Sequence, residues 1–89
     1  MTTQYQVHIK NSAKKDLKKI KQSQLKSQFL DIYNVLKQNP YENSHSFEKL
    51  QPKHLGRYSR RINHQHRVVY TVDEKEKQVY IYSAWSHYE

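Results

Sequence analysis

Apolar and polar positions alternate at the start of the chain and again through its second half. Tyr5, Val7 and Ile9 are separated by polar residues, and this period of two is typical of a half-buried β-strand. The same pattern, with β-branched and aromatic enrichment, predicts strands over residues 3–10, 47–50, 58–62, 67–72 and 79–84. The strand over 67–72 is apolar on both faces, which favours a central place in the sheet.

Two other stretches repeat their apolar residues every three or four positions, which indicates helices. Ala13, Leu17 and Ile20 predict a first helix over residues 13–21. The second helix carries a longer stripe made of Leu25, Phe29, Ile32, Tyr33 and Leu36, and it ends before Asn39-Pro40. The predicted N-caps are Asn11 or Ser12 for the first helix and Ser23 for the second.

The order of these elements predicts the fold class. An N-terminal strand, a two-helix hairpin and a run of strands make an α+β domain, with the helices packed on one face of a mostly antiparallel sheet. Residues 40–46, 51–56, 63–66 and 73–77 are polar and read as connections, with Gly56 as a turn residue of positive φ. At 89 residues the chain has room for a single domain over 1–89.

Charge narrows the choice of ligand. Lys and Arg total 16 against 8 Asp and Glu, a formal net charge of +8, so the expected ligand is a nucleic acid or an acidic protein. The absence of cysteine excludes disulfides and zinc–thiolate sites. With no apolar run of membrane-spanning length, we expect a cytoplasmic protein that does not enter membranes.

The six histidines do not form a metal-binding pattern. His64 and His66 are two residues apart at a predicted turn, but zinc needs three or four ligands and no third lies nearby in the sequence. We therefore expect turn residues and no metal. Lys53 and His54 lie in another turn, where they are candidate anion contacts.

Cleavage of RNA without a metal needs a base for the 2′-hydroxyl, a cation for the charge on phosphorus and an acid for the leaving 5′-oxygen. Glu48, Arg67 and His87 supply these groups in order along the chain, and Tyr88 adds an aromatic ring. Alternation places Glu48 on the face opposite Phe47.

Arg60 and Arg61 are neighbours in a predicted strand. Adjacent strand residues point to opposite faces. We therefore expect the two side chains to lie on opposite faces of the sheet.

The chain resembles the YoeB-type toxins of the RelE/ParE superfamily, most strongly over residues 48–72. The likeness is carried by Glu48-Lys49-Leu50, Gly56, Tyr58-Ser59-Arg60-Arg61-Ile62-Asn63, His66-Arg67-Val68-Val69-Tyr70 and His87-Tyr88. The resemblance implies a RelE-like fold and a toxin of a type II toxin–antitoxin pair. It further implies a ribosome-dependent endoribonuclease that cleaves messenger RNA in the ribosomal A site and stops translation.

By position, the resemblance makes Glu48 the general base, Arg67 the stabiliser of the scissile phosphate, His87 the general acid and Tyr88 a positioning or stacking group. It also makes Arg60 and Arg61 candidate phosphate contacts, and we expect one to bind RNA and the other to serve the structure or to contact ribosomal RNA. It implies no cofactor. The implied partners are the 70S ribosome with mRNA, a YefM-type antitoxin and a second copy of the chain. The sequence departs from its relatives at Gln51, where a basic residue is expected, and Lys53 or His54 could replace that missing cation. It also departs in carrying Glu89 after the tyrosine.

Two other functions fit the charge. One is a non-catalytic RNA- or DNA-binding module whose arginines only neutralise phosphate, with binding that falls steeply with salt. The other is a regulatory domain that binds an acidic protein. A carboxylate facing a polyanion is unexpected in a simple binder, which favours the nuclease.

Overall fold

The computed structural model describes residues 4–85 and follows the predicted order of elements. The strands and helices are β1 (Gln6–Ile9), α1 (Asn11–Lys21), α2 (Lys26–Gln38), β2 (Glu48–Lys49), β3 (Arg57–Arg61), β4 (Arg67–Asp73) and β5 (Gln78–Ser83). A single turn of 3-10 helix, Lys53–Leu55, precedes β3. Gly56 follows it with φ of 64°, the left-handed conformation predicted for this turn.

The five strands form one sheet in the order β1-β5-β4-β3-β2. β4 lies at the centre, as its two apolar faces predicted, and Val68, Val69 and Tyr70 are buried in succession. The pairs β2–β3, β3–β4 and β4–β5 are antiparallel, whereas β1 runs parallel to β5. The predicted α+β class with a mostly antiparallel sheet is confirmed.

Both helices pack against the same side of this sheet. α1 contacts β5 and α2 contacts β1, and their apolar stripes meet the inward side chains of the strands. The buried core consists mainly of Ala13, Ile20, Phe29, Ile32, Leu36, Val68, Tyr70, Val79 and Ile81. Burial of the stripe through Phe29, Ile32 and Leu36 confirms the second helix.

The predicted N-caps are wrong. α1 begins at Asn11 with Lys10 in the capping position and no side-chain cap. Ser12 is unavailable because its hydroxyl donates to the backbone oxygen of Tyr82, 2.7 Å away.

α2 begins only at Lys26, after Leu25. Ser23 instead closes the turn between the helices. Its Oγ accepts a hydrogen bond from the Leu25 N–H at 3.1 Å and donates to the Ile20 oxygen at 2.8 Å.

Strand bounds differ from the predicted ones by a few residues. β1 is shorter than the expected 3–10, β2 occupies only the middle of 47–50, and β3 begins one residue early.

Within the described part of the chain, no helix is long and apolar enough to cross a membrane.

Candidate active site on the open sheet face

The side of the sheet turned away from the helices carries the polar residues of the middle strands. Residues paired across antiparallel strands share a face, and the register sets Glu48 beside Ser59, Ser59 beside Val69, and Arg61 beside Arg67. We call this surface the open face.

Glu48 and Arg67 form an ion pair on the open face. Nη1 of Arg67 lies 3.4 Å from Oε1 of Glu48, and their side chains are 23% and 60% exposed. Glu48 is accessible because β2 is a short edge strand. A carboxylate able to take a proton thus lies next to a guanidinium able to stabilise negative charge.

Phe47 lies on the other side of the sheet from Glu48, as alternation predicted. Its ring stacks on Tyr58 with centroids 5.5 Å apart, and the Arg60 guanidinium lies 4.7 Å from its centroid. Phe47 therefore belongs to the helix side.

Arg60 and Arg61 point to opposite faces, also as expected. Arg60 is fully buried; Nε donates to the Tyr70 hydroxyl at 3.0 Å, Nη1 to the Ser44 oxygen at 2.7 Å and Nη2 to the Pro40 oxygen at 2.9 Å. A guanidinium enclosed in this way has no route to a phosphate. The candidacy of Arg60 as an RNA contact is therefore replaced by a structural role.

The Arg60 guanidinium holds the loop of residues 40–47, which leads directly into Glu48. The hydroxyl of Tyr70 also binds this loop, donating to the Pro40 oxygen at 2.6 Å. Burial raises the pKa of Tyr70 to about 12, against the opposing effect of the nearby Arg60 charge. His45 and Ser46 adopt φ of 54° and 55°, a left-handed conformation that needs such outside support.

Arg61 remains exposed and lines a shallow pocket of about 290 Å³ with Ser46, Phe47 and Glu48. The structure thus brings Arg61 and the Glu48–Arg67 pair into one region. Lys53 and His54 are also exposed, on the 3-10 turn that joins β2 to β3. They remain candidate RNA contacts, separate from the ion pair.

His66 is not a solvent-facing turn residue. It ends the turn, but its ring is buried, with 5% exposure, and stacks on Trp85 at a centroid distance of 4.0 Å. The described chain therefore ends beside the residue that precedes Arg67. Sequence reasoning missed this contact, and the single tryptophan near the C-terminus was the available signal.

The other two predicted catalytic residues, His87 and Tyr88, lie outside the described residues, as does Glu89. His64 is exposed in the turn, as expected. Across residues 4–85 no three histidine, aspartate or glutamate side chains come together in a way that could hold a metal ion.

A family model described as the YoeB-like toxin of bacterial type II toxin–antitoxin systems matches residues 5–88. The chain belongs to this family. Toxins of the YoeB and RelE type are generally endoribonucleases. A comparison with curated proteins found no match.

Solved structures of YoeB toxins share the fold. The YoeB dimer from Staphylococcus aureus is 32% identical with a TM-score of 0.80, over 94% of this chain and 98% of that one. The YoeB–YefM complex from the same organism is 32% identical with a TM-score of 0.78 and the same coverage. The YoeB/ParE toxin from Agrobacterium tumefaciens, at 22% identity and TM-score 0.82 over 93% and 99%, is similar in fold.

Proposed function

We propose that this YoeB-like toxin is a ribosome-dependent endoribonuclease that cuts mRNA in the A site and stops translation. The observation that carries the proposal is the Glu48–Arg67 pair, with Nη1 and Oε1 3.4 Å apart on an accessible face that also presents Arg61. A base and a phosphate-stabilising cation are held on strands of one sheet, which favours a fixed reaction geometry.

In the proposed reaction Glu48 removes the proton of a 2′-hydroxyl, and the freed oxygen attacks the adjacent phosphorus. Arg67 stabilises the negative charge that gathers on the phosphoryl oxygens. His87 gives a proton to the departing 5′-oxygen as its bond to phosphorus breaks, and Tyr88 positions the RNA. The products are a 2′,3′-cyclic phosphate and a 5′-hydroxyl, with no metal taking part.

The role of His87 is supported by the family match, which spans residues 5–88 and so includes it. Arg61, Lys53 and His54 would hold the flanking phosphates.

The expected partners are the 70S ribosome with its mRNA, a YefM-type antitoxin and a second copy of the chain, which together place the protein in the cytoplasm. Dependence on the ribosome follows from the chemistry, because in-line attack needs an RNA held in one geometry. The homodimer and the antitoxin are supported by the relatives solved as a YoeB dimer and as a YoeB–YefM complex.

The test compares wild type, Glu48→Gln and His87→Ala on purified ribosomes carrying a defined mRNA, with cut ends mapped by primer extension. Each substitution removes one proton transfer and should slow A-site cutting by roughly 10²- to 10⁴-fold. Lys75→Gln, an exposed change in the β4–β5 turn, should cut like wild type.

Equal cutting by all four proteins would remove Glu48 and His87 from the mechanism. Translation arrest without any new mRNA end, unaffected by Glu48→Gln, would instead identify a non-catalytic RNA binder. Cutting of free RNA as fast as ribosome-bound RNA would contradict the ribosome dependence alone.

A further inference from the structure

A second pocket opens on the open face, next to the ion pair but distinct from it. Its volume is about 430 Å³, within the range of small-molecule sites. Its lining is formed by Leu55, Arg57, Val69, Thr71, Tyr82 and Ser83. These residues come from the 3-10 turn and from β3, β4 and β5, so most of the wall belongs to the sheet.

The register fixes the distance between this pocket and the reactive groups. Val69 lies opposite Ser59, which lies opposite Glu48, so the row of residues that carries Glu48 leads directly into the pocket wall. Along β4, Val69 is two residues from Arg67, a rise of about 6.8 Å. A ligand in the pocket would therefore lie beside the phosphate held by Arg67.

A β-bulge shapes the pocket. Val69 pairs with Ser83, but Tyr70 pairs with Ile81, which leaves Tyr82 as the extra residue of β5. Bulges re-aim side chains and are over-represented next to active sites. Here the bulge contributes a large aromatic side chain to the pocket while it remains 37% exposed.

The lining combines apolar surface with hydrogen-bonding groups. Leu55 is 47% exposed although it is large and apolar. Thr71 and Ser83 bring hydroxyls, and the Nε of Arg57 is buried with no hydrogen-bond partner among the described residues. Arg57 lines the pocket, so its guanidinium group offers hydrogen-bond donors to a ligand there.

We propose that this pocket receives a nucleobase of the RNA next to the scissile phosphate; this inference rests on the proposed function. A base presents a flat face to Tyr82 and Leu55 and a polar edge to Arg57 and the hydroxyls. An aliphatic side chain of a protein partner would cover the apolar wall but would offer no acceptor to the Arg57 guanidinium or to the two hydroxyls. The net charge of +8 also favours a polyanion.

The proposal makes the toxin itself a source of sequence preference. Arg57 donates to an acceptor on the base edge, as arginine does to bases with paired acceptors, so bases that differ at this edge are cut at different rates.

The first experiment measures cutting by full-length wild type, Arg57→Met and Leu55→Ala on ribosomes whose A-site codons are randomised, with ends read by sequencing. The ratio of the cutting rates for the most and the least favoured base at one codon position should fall about tenfold in both variants. Lys75→Met, which also removes an exposed charge, should keep the wild-type pattern. Thermal unfolding checks that the variants fold.

A second experiment does not depend on cleavage. Fluorescent 2-aminopurine in a short RNA is titrated with Glu48→Gln protein, with and without Leu55→Ala. Stacking in the pocket should quench the fluorophore, and Leu55→Ala should weaken binding about tenfold. If wild type cuts no RNA but quenching still weakens in Leu55→Ala, the nuclease proposal fails and the base pocket stands.

Unchanged codon preference together with unchanged quenching in the pocket variants would overturn the base pocket while leaving the nuclease intact. The pocket variants could instead bind a peptide from the antitoxin C-terminus more weakly than wild type does while binding RNA equally well. That result would assign the pocket to the protein partner and equally overturn the proposal.

Discussion

At the scale of single residues, Arg60 and Arg61 show how one position along a strand changes the role of a side chain. Arg61 is exposed on the open face, whereas Arg60 is buried and donates to the Pro40 and Ser44 oxygens and to the Tyr70 hydroxyl. These acceptors lie on the loop before Glu48 or on the central strand. Arg60 therefore connects the sheet to the loop that leads into Glu48, the proposed general base.

Replacement of Arg60 by Met should lower the free energy of unfolding by about 3 kcal/mol, because several buried acceptors lose their donor. Arg61→Met removes the same charge from a solvent-exposed position and should change stability by no more than about 0.5 kcal/mol. Urea unfolding followed by tryptophan fluorescence measures both, and similar losses in the two variants would contradict the structural role of Arg60.

The sequence predicted much of the site because strand alternation is a local rule. It placed Glu48 opposite Phe47 and separated Arg60 from Arg61. It did not indicate which arginine is inside, because that depends on carbonyls of the loop at residues 40–47, and it missed the burial of His66, which depends on Trp85. Both are contacts between residues distant in sequence.

At the scale of elements, Glu74 in the β4–β5 turn joins three segments. Its carboxylate accepts hydrogen bonds from Tyr5 before β1, at 3.0 Å, from Tyr41 after α2, at 2.8 Å, and from Lys77. These donors, led by Lys77, hold the pKa of Glu74 below its ordinary value of 4.5. Burial and the Glu74 contact raise the pKa of Tyr41.

A carboxyl group whose pKa is lower in the folded state stabilises the fold above its unfolded pKa and loses that effect as the pH falls. Glu74→Gln should therefore be slightly less stable than wild type at pH 7, and the difference should vanish as the pH drops from about 4.5 through the lowered pKa. Thermal melts at pH 7, 4 and 3 measure this. Glu76→Gln, on the same turn, serves as the control; a Glu74→Gln deficit that does not shrink between pH 7 and pH 3 would refute the linkage.

Element types were readable from periodicity, but element ends were not. The predicted cap at Ser23 failed for a local reason, because its hydroxyl bonds to Ile20 and Leu25 in the turn before the helix begins. The cap at Ser12 failed because its hydroxyl binds the Tyr82 oxygen, which only the assembled fold brings near. The parallel pairing of β1 with β5 is likewise a long-range choice that no local pattern encodes.

At the scale of the whole molecule, the excess of positive charge matters through its arrangement. Arg57, Arg61 and Arg67 all lie on the open face, where Glu48 is paired with Arg67. RNA binding there should release counterions, which makes affinity fall with salt.

In the Glu48→Gln background, a plot of log affinity for a short RNA against log salt concentration should lose about 0.7 from its slope when Arg61 becomes Ala, the value for one phosphate contact on a single strand. Arg61→Lys keeps the charge and should keep the slope. Fluorescence anisotropy between 50 and 300 mM salt measures it, and an unchanged slope in Arg61→Ala would remove Arg61 from the RNA path.

The parallel pairing of the first and last strands also sets the timing of folding during synthesis. Gln6 is made well before its partner Gln78, because the two helices and three strands lie between them in sequence. The sheet of a nascent toxin stays incomplete until β5 has emerged from the ribosome, since β5 separates β1 from the rest of the sheet. Until then β1 has no strand to pair with.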